Sequence, residues 1–208
     1  MPQRSAARRH HVNVRAGMLE EGDALLAVDV QRDFMPGGAL AVPGGDAVVE
    51  PLNHYMDGFR RCGLPVIATR DFHPPNHCSF RSRGGPWPPH CVAGTSGAEF
   101  AVGLKLPADA HIVSKATTAE ADSYSAFQDT NLAALLRRHG CRRLFIGGLA
   151  TDYCVQATAL DALREGFQVV VLRDAVRAVE LAAGDGARAV ASMNAAGAGL
   201  ADLAEVMP

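Results

Sequence analysis

Short apolar runs recur along the chain, and polar, helix-like stretches separate them. Residues 24–30, 64–69, 110–113, 144–147 and 167–172 are each largely apolar, and a further run lies near 199–203. Near-continuous runs of this length suit strands covered on both faces, where an alternating pattern would leave one face wet. Three of the intervening stretches end in basic residues followed by glycine: Arg60-Arg61-Cys62-Gly63, Arg138-His139-Gly140 and Arg164-Glu165-Gly166. Cations in a last helical turn offset the helix dipole, and glycine just beyond takes the left-handed backbone that closes the helix. Strands alternating with helices pair in parallel through right-handed crossovers. The pattern predicts an α/β fold: one three-layer αβα domain over residues 21–208, with a central, mostly parallel sheet of about six strands.

Composition narrows the class of function. The chain has 208 residues, 48% hydrophobic and 20% charged, with a formal net charge of −2. That balance points to neither a nucleic-acid nor a membrane partner. The apolar runs are strand-sized and far short of a membrane span, and no charged segment leads into a signal-peptide core. Five cysteines, an odd number, suit free thiols in the cytoplasm better than a disulfide framework. Residues 1–20 stand apart. Arg4, Arg8, Arg9, His10, His11 and Arg15 make them basic, and apolar periodicity is lacking. They are expected to be a flexible extension or to lie upstream of a natural start near Met18; an Arg-rich targeting peptide is the alternative. Oligomeric state stays open, a homo-oligomer included.

In open parallel sheets, ligands bind beyond the carboxyl ends of the strands, and four runs deliver chemistry there. The first reaches Asp29, the second Asp71 and His73, the third Lys115, and the fourth Cys154. A helix capped by Thr151 or Asp152 and running to about Glu165 puts Cys154 in its first turn. Unpaired N–H groups and the dipole there favour a thiolate. The amides of Ala150 and Cys154 are candidate oxyanion donors. The bland reading of Cys154 is a small buried hydrophobe. Asp29 follows five apolar residues, so desolvation can raise its pKa and suit it to general-base work; otherwise it caps a turn. Lys115 is a cationic partner to both, or a solvated lysine.

Asp71 and His73 are two apart, a spacing that puts both side chains on one face of an extended chain. His77 and His90 follow. One aspartate with two or three histidines suits Zn²⁺, Fe²⁺ or Mn²⁺ with open positions. A closed zinc site built from Cys78, Cys91 and histidines is a weaker rival, because no C-x-x-C pair exists. Loop histidines on the surface are the plain alternative.

Taken together, Val28-Asp29-Val30-Gln31-Arg32-Asp33-Phe34, Asp71-Phe72-His73, Trp87-Pro88-Pro89-His90-Cys91, Lys115 with Asp122-Ser123-Tyr124-Ser125-Ala126-Phe127, and residues 148–155 resemble the isochorismatase-like cysteine hydrolases. Within them they resemble the metal-dependent nicotinamidase (pyrazinamidase) branch. The resemblance implies a catalytic triad of Asp29, Lys115 and Cys154, an oxyanion hole at Ala150 and Cys154, and a cis peptide between Leu149 and Ala150. It implies one divalent metal ion, zinc first, with iron or manganese as alternatives, held by Asp71, His73 and His90. His77 would be a fourth or water-mediated ligand. Phe34 and Trp87 would flank a pyridine ring, and Tyr124 would form part of the wall. The implied reaction is hydrolysis of nicotinamide to nicotinate and ammonia in NAD salvage, with pyrazinamide as a second substrate. The alternative is another small amide, carbamoyl or ureido compound. Ala116, after Lys115, stands where many relatives have glycine, and a local loop difference is expected there.

Overall fold

The sheet forms from the apolar runs, with shifted ends. The computed structural model describes residues 19–207, so the basic stretch, but for its last two residues, lies outside the described part. The strands are β1 Asp23–Val28, β2 Val66–Asp71, β3 His111–Lys115, β4 Arg143–Leu149, β5 Gln168–Arg177 and β6 Gly199–Ala201. Their order is β3-β2-β1-β4-β5-β6, and every pairing is parallel. The expected class and strand number hold. Strand order reverses between β1 and β4, so the crevice for a ligand opens past their carboxyl ends.

Alternate residues of β1 face opposite layers, as a two-residue period requires. Leu25 and Ala27 pack with Leu52, Tyr55, Met56 and Phe59 of α1 (Val49–Arg61) and with Val206 of α5 (Leu203–Val206). Ala24, Leu26 and Val28 pack on the other face. Their partners there come from α2 (Leu132–Arg138), α3 (Gln156–Arg164) and α4 (Asp185–Ala196). Helices on both faces explain why the strands lack alternation, and each such buried Leu contributes about 1.5–3 kcal/mol. Where β1 and β4 meet at the crevice, Gly148 leaves no room for a side chain. A β-carbon there would lie 2.1 Å from the Val28 carbonyl oxygen.

Two local expectations need correction. The helix after β4 opens with a wide π turn over Thr151–Val155 and is α-helical only from Gln156 to Arg164. Neither Thr151 nor Asp152 caps it, since the N-cap is Ala150 and no side chain bonds there. The Asp152 carboxylate is drawn away and accepts the Val179 and Glu180 N–H groups at 2.9 and 3.0 Å. The last strand stops at Ala201 because Asp202 starts α5 through a capping box with Glu205. Among the described residues no helix is long and apolar enough to cross a membrane.

Candidate active site

Four strand ends converge on one crevice. Asp29 leaves β1 in a left-handed conformation, φ 50, and its Oδ1 accepts the Thr69 hydroxyl at 2.6 Å. Lys115, the last residue of β3, reaches past β2 and is 1% exposed. Its Nζ lies 3.0 Å from Asp29 Oδ2 and 3.4 Å from Cys154 Sγ. It donates to Asp71 Oδ1 and to the Ser123 carbonyl, the latter at 3.0 Å. Ala116 takes a left-handed backbone, φ 49, a conformation that glycine adopts without strain.

Asp29 Oδ2 receives no directional hydrogen bond among the described residues. Its contact with Lys115 is an ion pair lying off the bonding direction, so a lone pair stays open toward the thiol. A carboxylate oxygen of Asp29, one of Asp71 and Cys154 Sγ all lie within 4.8 Å of one another. The Lys115 ammonium already stands among them as the cation.

Burial and charge set the protonation states. Burial pushes the Asp29 carboxyl above its ordinary value; Lys115 offsets this in part and Asp71 adds to it. Burial opposes charge at Asp71 too, but Lys115 and His73 outweigh it and hold Asp71 below the usual carboxylate range. Burial also works against the Lys115 ammonium, yet Asp29 and Asp71 together keep it charged well above its usual value. The Cys154 thiol is pushed well up by burial, against Lys115 and with Asp29 and Asp71 adding. Burial thus works against the thiolate that a helix start would favour. The Asp29 carboxylate is the acidic group beside the thiol.

Asp71, His73 and His90 form a second group, all buried, with one potential ligand atom from each within 4.8 Å of the others. His73 Nδ1 sits 3.2 Å from the Ala116 carbonyl and His90 Nδ1 2.8 Å from the Pro88 carbonyl. A carbonyl only accepts, so both rings carry the proton on Nδ1 and present Nε2. Such outer hydrogen bonds are how metal-binding imidazoles are oriented. Burial lowers the His90 pKa and favours the neutral, ligating form. The donor set fits a divalent ion with positions left open. His77 departs from expectation. Its Nδ1 pairs with Ser79 Oγ at 2.7 Å and its Nε2 with the Ala121 carbonyl at 3.1 Å. Its ring packs 4.2 Å from that of His73, and the group of potential metal donors formed by the described residues does not include it. Cys78 and Cys91 join no metal-binding group among the described residues. Cys91 is fully buried, with its thiol pushed far up by burial.

Cys154 of the first group and all three residues of the second line one small pocket, and the buried Asp29 and Lys115 stand beside the thiol. Phe34, Trp87 and Tyr124 line it as expected, with Leu40, Val42 and Val179 adding apolar wall. Trp87 Nε1 donates to the Tyr124 hydroxyl at 3.0 Å. Ala150 and Cys154 line the same pocket, and the Leu149–Ala150 peptide is cis.

Comparison with known proteins decides the family. The Isochorismatase domain family matches residues 23–205. The chain belongs to the isochorismatase family. The nicotinamidase of Escherichia coli (strain K12) is 43% identical over 203 residues, which take in 88% of this chain and 95% of its own. A pyrazinamidase of Pyrococcus horikoshii solved in complex with zinc has a TM-score of 0.84 and 51% identity, covering 87% of this chain and 99% of that one. PnC1 from L. infantum, solved with nicotinate, has a TM-score of 0.84 and 40% identity, covering 92% and 98%.

The matched stretch also contains residues whose parts in the site the sequence left unassigned. Thr69 orients Asp29, and the Ser123 carbonyl holds Lys115. Tyr153 lines the pocket, its ring 5.2 Å from Trp87 and 5.5 Å from Tyr124. Its place just before Cys154 was the one available signal. Gln31 and Asp33, both in the first segment, make hydrogen bonds described below.

Proposed function

We propose that this protein is a metal-dependent cysteine amidohydrolase that converts nicotinamide to nicotinate and ammonia. Its role would be in NAD salvage in the cytoplasm, and it would also take pyrazinamide. One observation carries the reading: Cys154, with Asp29 and Lys115 beside it, and the Asp71–His73–His90 group face one pocket with aromatic walls. The similarity to proteins named nicotinamidase and pyrazinamidase supports it. Five free cysteines suit a reducing compartment. Carbamoyl and ureido substrates rank second, because they lack a ring for this wall and this donor set to engage.

Asp71, His73 and His90 would hold one divalent ion, zinc fitting best and iron or manganese also fitting the donor set. When bound, it would supply a Lewis-acid contact for the pyridine nitrogen. The covalent chemistry belongs to the chain. Asp29 takes the Cys154 proton at Oδ2, and the thiolate attacks the carboxamide carbon. Lys115 stays charged and offsets the negative charge shared between thiolate and carboxylates. The amides of Ala150 and Cys154 hold the oxyanion. Asp29 passes the proton to the amide nitrogen, the C–N bond breaks, and ammonia leaves a thioester on Cys154. Asp29 then draws a proton from water as it adds to the thioester. The C–S bond breaks, and the sulfur recovers that proton. Phe34, Trp87 and Tyr124 keep the ring oriented, which lowers the barrier by positioning.

The test is ammonia release from a panel of carboxamides, with and without chelator, by the wild type and by Cys154→Ala. Nicotinamide turnover should fall with chelator. Cys154→Ala should lose on the order of 10⁴-fold or more while keeping its metal. Turnover surviving in that variant would overturn the covalent route.

A further inference from the structure

The turn after β1 places side chains at alternate positions, and each serves a different part of the site. Asp29 faces Lys115 and Cys154. Gln31, wholly buried, donates from Nε2 to the Asp71 carbonyl at 2.7 Å and to the Ala98 carbonyl at 3.0 Å. Its Oε1 accepts the Asp71 N–H at 2.8 Å. One side chain thus satisfies both backbone polar groups of Asp71. Asp33 reaches the opposite way. Its Oδ2 accepts the Cys91 N–H at 2.7 Å, and its Oδ1 accepts the Ala39 N–H at 3.2 Å. Gly97 packs against this carboxylate so closely that a β-carbon would lie 2.1 Å from Oδ2.

Cys91 is the link to the histidines. It follows His90 directly and holds a left-handed backbone, φ 46, which a residue other than glycine adopts at a cost. Its carbonyl accepts the His73 N–H at 3.0 Å. Cys91 therefore ties the His90 loop to the His73 segment, and the charged acceptor on Asp33 ties Cys91 to the turn. Charge-assisted bonds of this kind are stronger than neutral ones.

We infer that Gln31 and Asp33 are positioning residues, which hold the backbones of Asp71, His73 and His90 at the spacing a divalent ion requires. The inference rests on the functional reading above, and it adds that the metal donors and the base Asp29 hang from one turn. Outer partners of metal ligands typically govern affinity by 10–100-fold, and among the described residues no other side chain makes both backbone bonds to Asp71.

Zinc affinity of the full chain, measured by chelator competition, tests it, together with the visible spectrum of the cobalt-loaded protein. Asp33→Ala should weaken zinc about 10–100-fold and alter the cobalt bands. Asp33→Asn keeps an acceptor oxygen and should recover most of that loss. Gln31→Met, similar in size but without donor or acceptor, should weaken zinc as Asp33→Ala does. Wild-type affinity in both Asp33→Ala and Gln31→Met would overturn the inference. Should these two variants fail to fold, Asp33→Ser, whose shorter side chain cannot carry an oxygen to the Cys91 N–H, decides. Weaker zinc binding with unchanged melting of the metal-free protein supports the inference, and wild-type affinity overturns it. A wild type that binds zinc beside unaffected variants refutes this inference alone, whereas a wild type that binds no divalent ion refutes the functional reading as well.

Discussion

Strand β1 carries a buried aspartate at its start and another just past its end, and the two differ in how their oxygens are used. Asp23 is 1% exposed and Asp29 0%. Both oxygens of Asp23 are taken. Arg143 Nε donates to Oδ1 and Nη2 to Oδ2, each at 2.7 Å, and the Glu20 N–H reaches Oδ2 at 2.8 Å. Asp29 has only Oδ1 engaged, by Thr69, while Oδ2 has an ion pair and a thiol nearby. Burial alone therefore does not mark a working carboxylate. What sets Asp29 apart is an oxygen left open beside a thiol, together with a raised pKa.

Asp29→Asn tests that contrast hardest. An amide keeps the shape but cannot take a proton from Cys154. Nicotinamide kcat/KM should fall at least about 10³-fold, which corresponds to about 4 kcal/mol. The denaturation midpoint should move less than in the Asp23 variant below, because Lys115 keeps Asp71 and the Ser123 carbonyl. Activity within tenfold of the wild type would show Oδ2 to be idle.

The same contrast explains what the sequence could and could not reveal. Apolar runs and glycine stops give the class and the strands, because burial on both faces is written into composition. Asp29, Lys115 and Cys154 are legible as strand-end residues, since the fold sends its loops to one rim. Strand order is not legible, since it depends on pairing between distant segments. The π turn at Thr151–Val155 escaped because Asp152 bonds to Val179 and Glu180, far along the chain. His77 sits at a spacing suggestive of a ligand, but the Ala121 carbonyl that takes its Nε2 comes from another loop. The burial that raises the Cys154 pKa is hidden for a similar reason. A helix start shows in sequence, while the depth of burial around it does not.

At the other end of β1 the expected losses reverse. Asp23→Ala leaves Arg143, whose side chain is only 11% exposed, without its main charged partner. Breaking a buried pair on one side costs about 3 kcal/mol, and in a protein of this length that lowers the melting temperature by roughly 6–12 °C. Activity of the folded fraction should stay within twofold, because Asp23 stands at the far end of a strand from the pocket. A tenfold loss of kcat below the melting transition would erase the distinction between the two ends.

The smallest effect is the most discriminating. Arg143→Lys keeps the charge and removes the planar fork, so one oxygen of Asp23 loses its partner while the ion pair persists. It also removes the guanidinium lying 5.0 Å from the centre of the Phe145 ring. A loss of about 1 kcal/mol is expected, or roughly 2–4 °C by thermal melting, with no change in nicotinamide turnover. Because the charge stays, that loss would measure what the guanidinium's shape contributes beyond charge, its fork on Asp23 and its place over Phe145 included. A lysine variant that melts with the wild type would mean that charge alone holds Asp23. Saturation of both oxygens would then no longer separate the structural end of β1 from the working one.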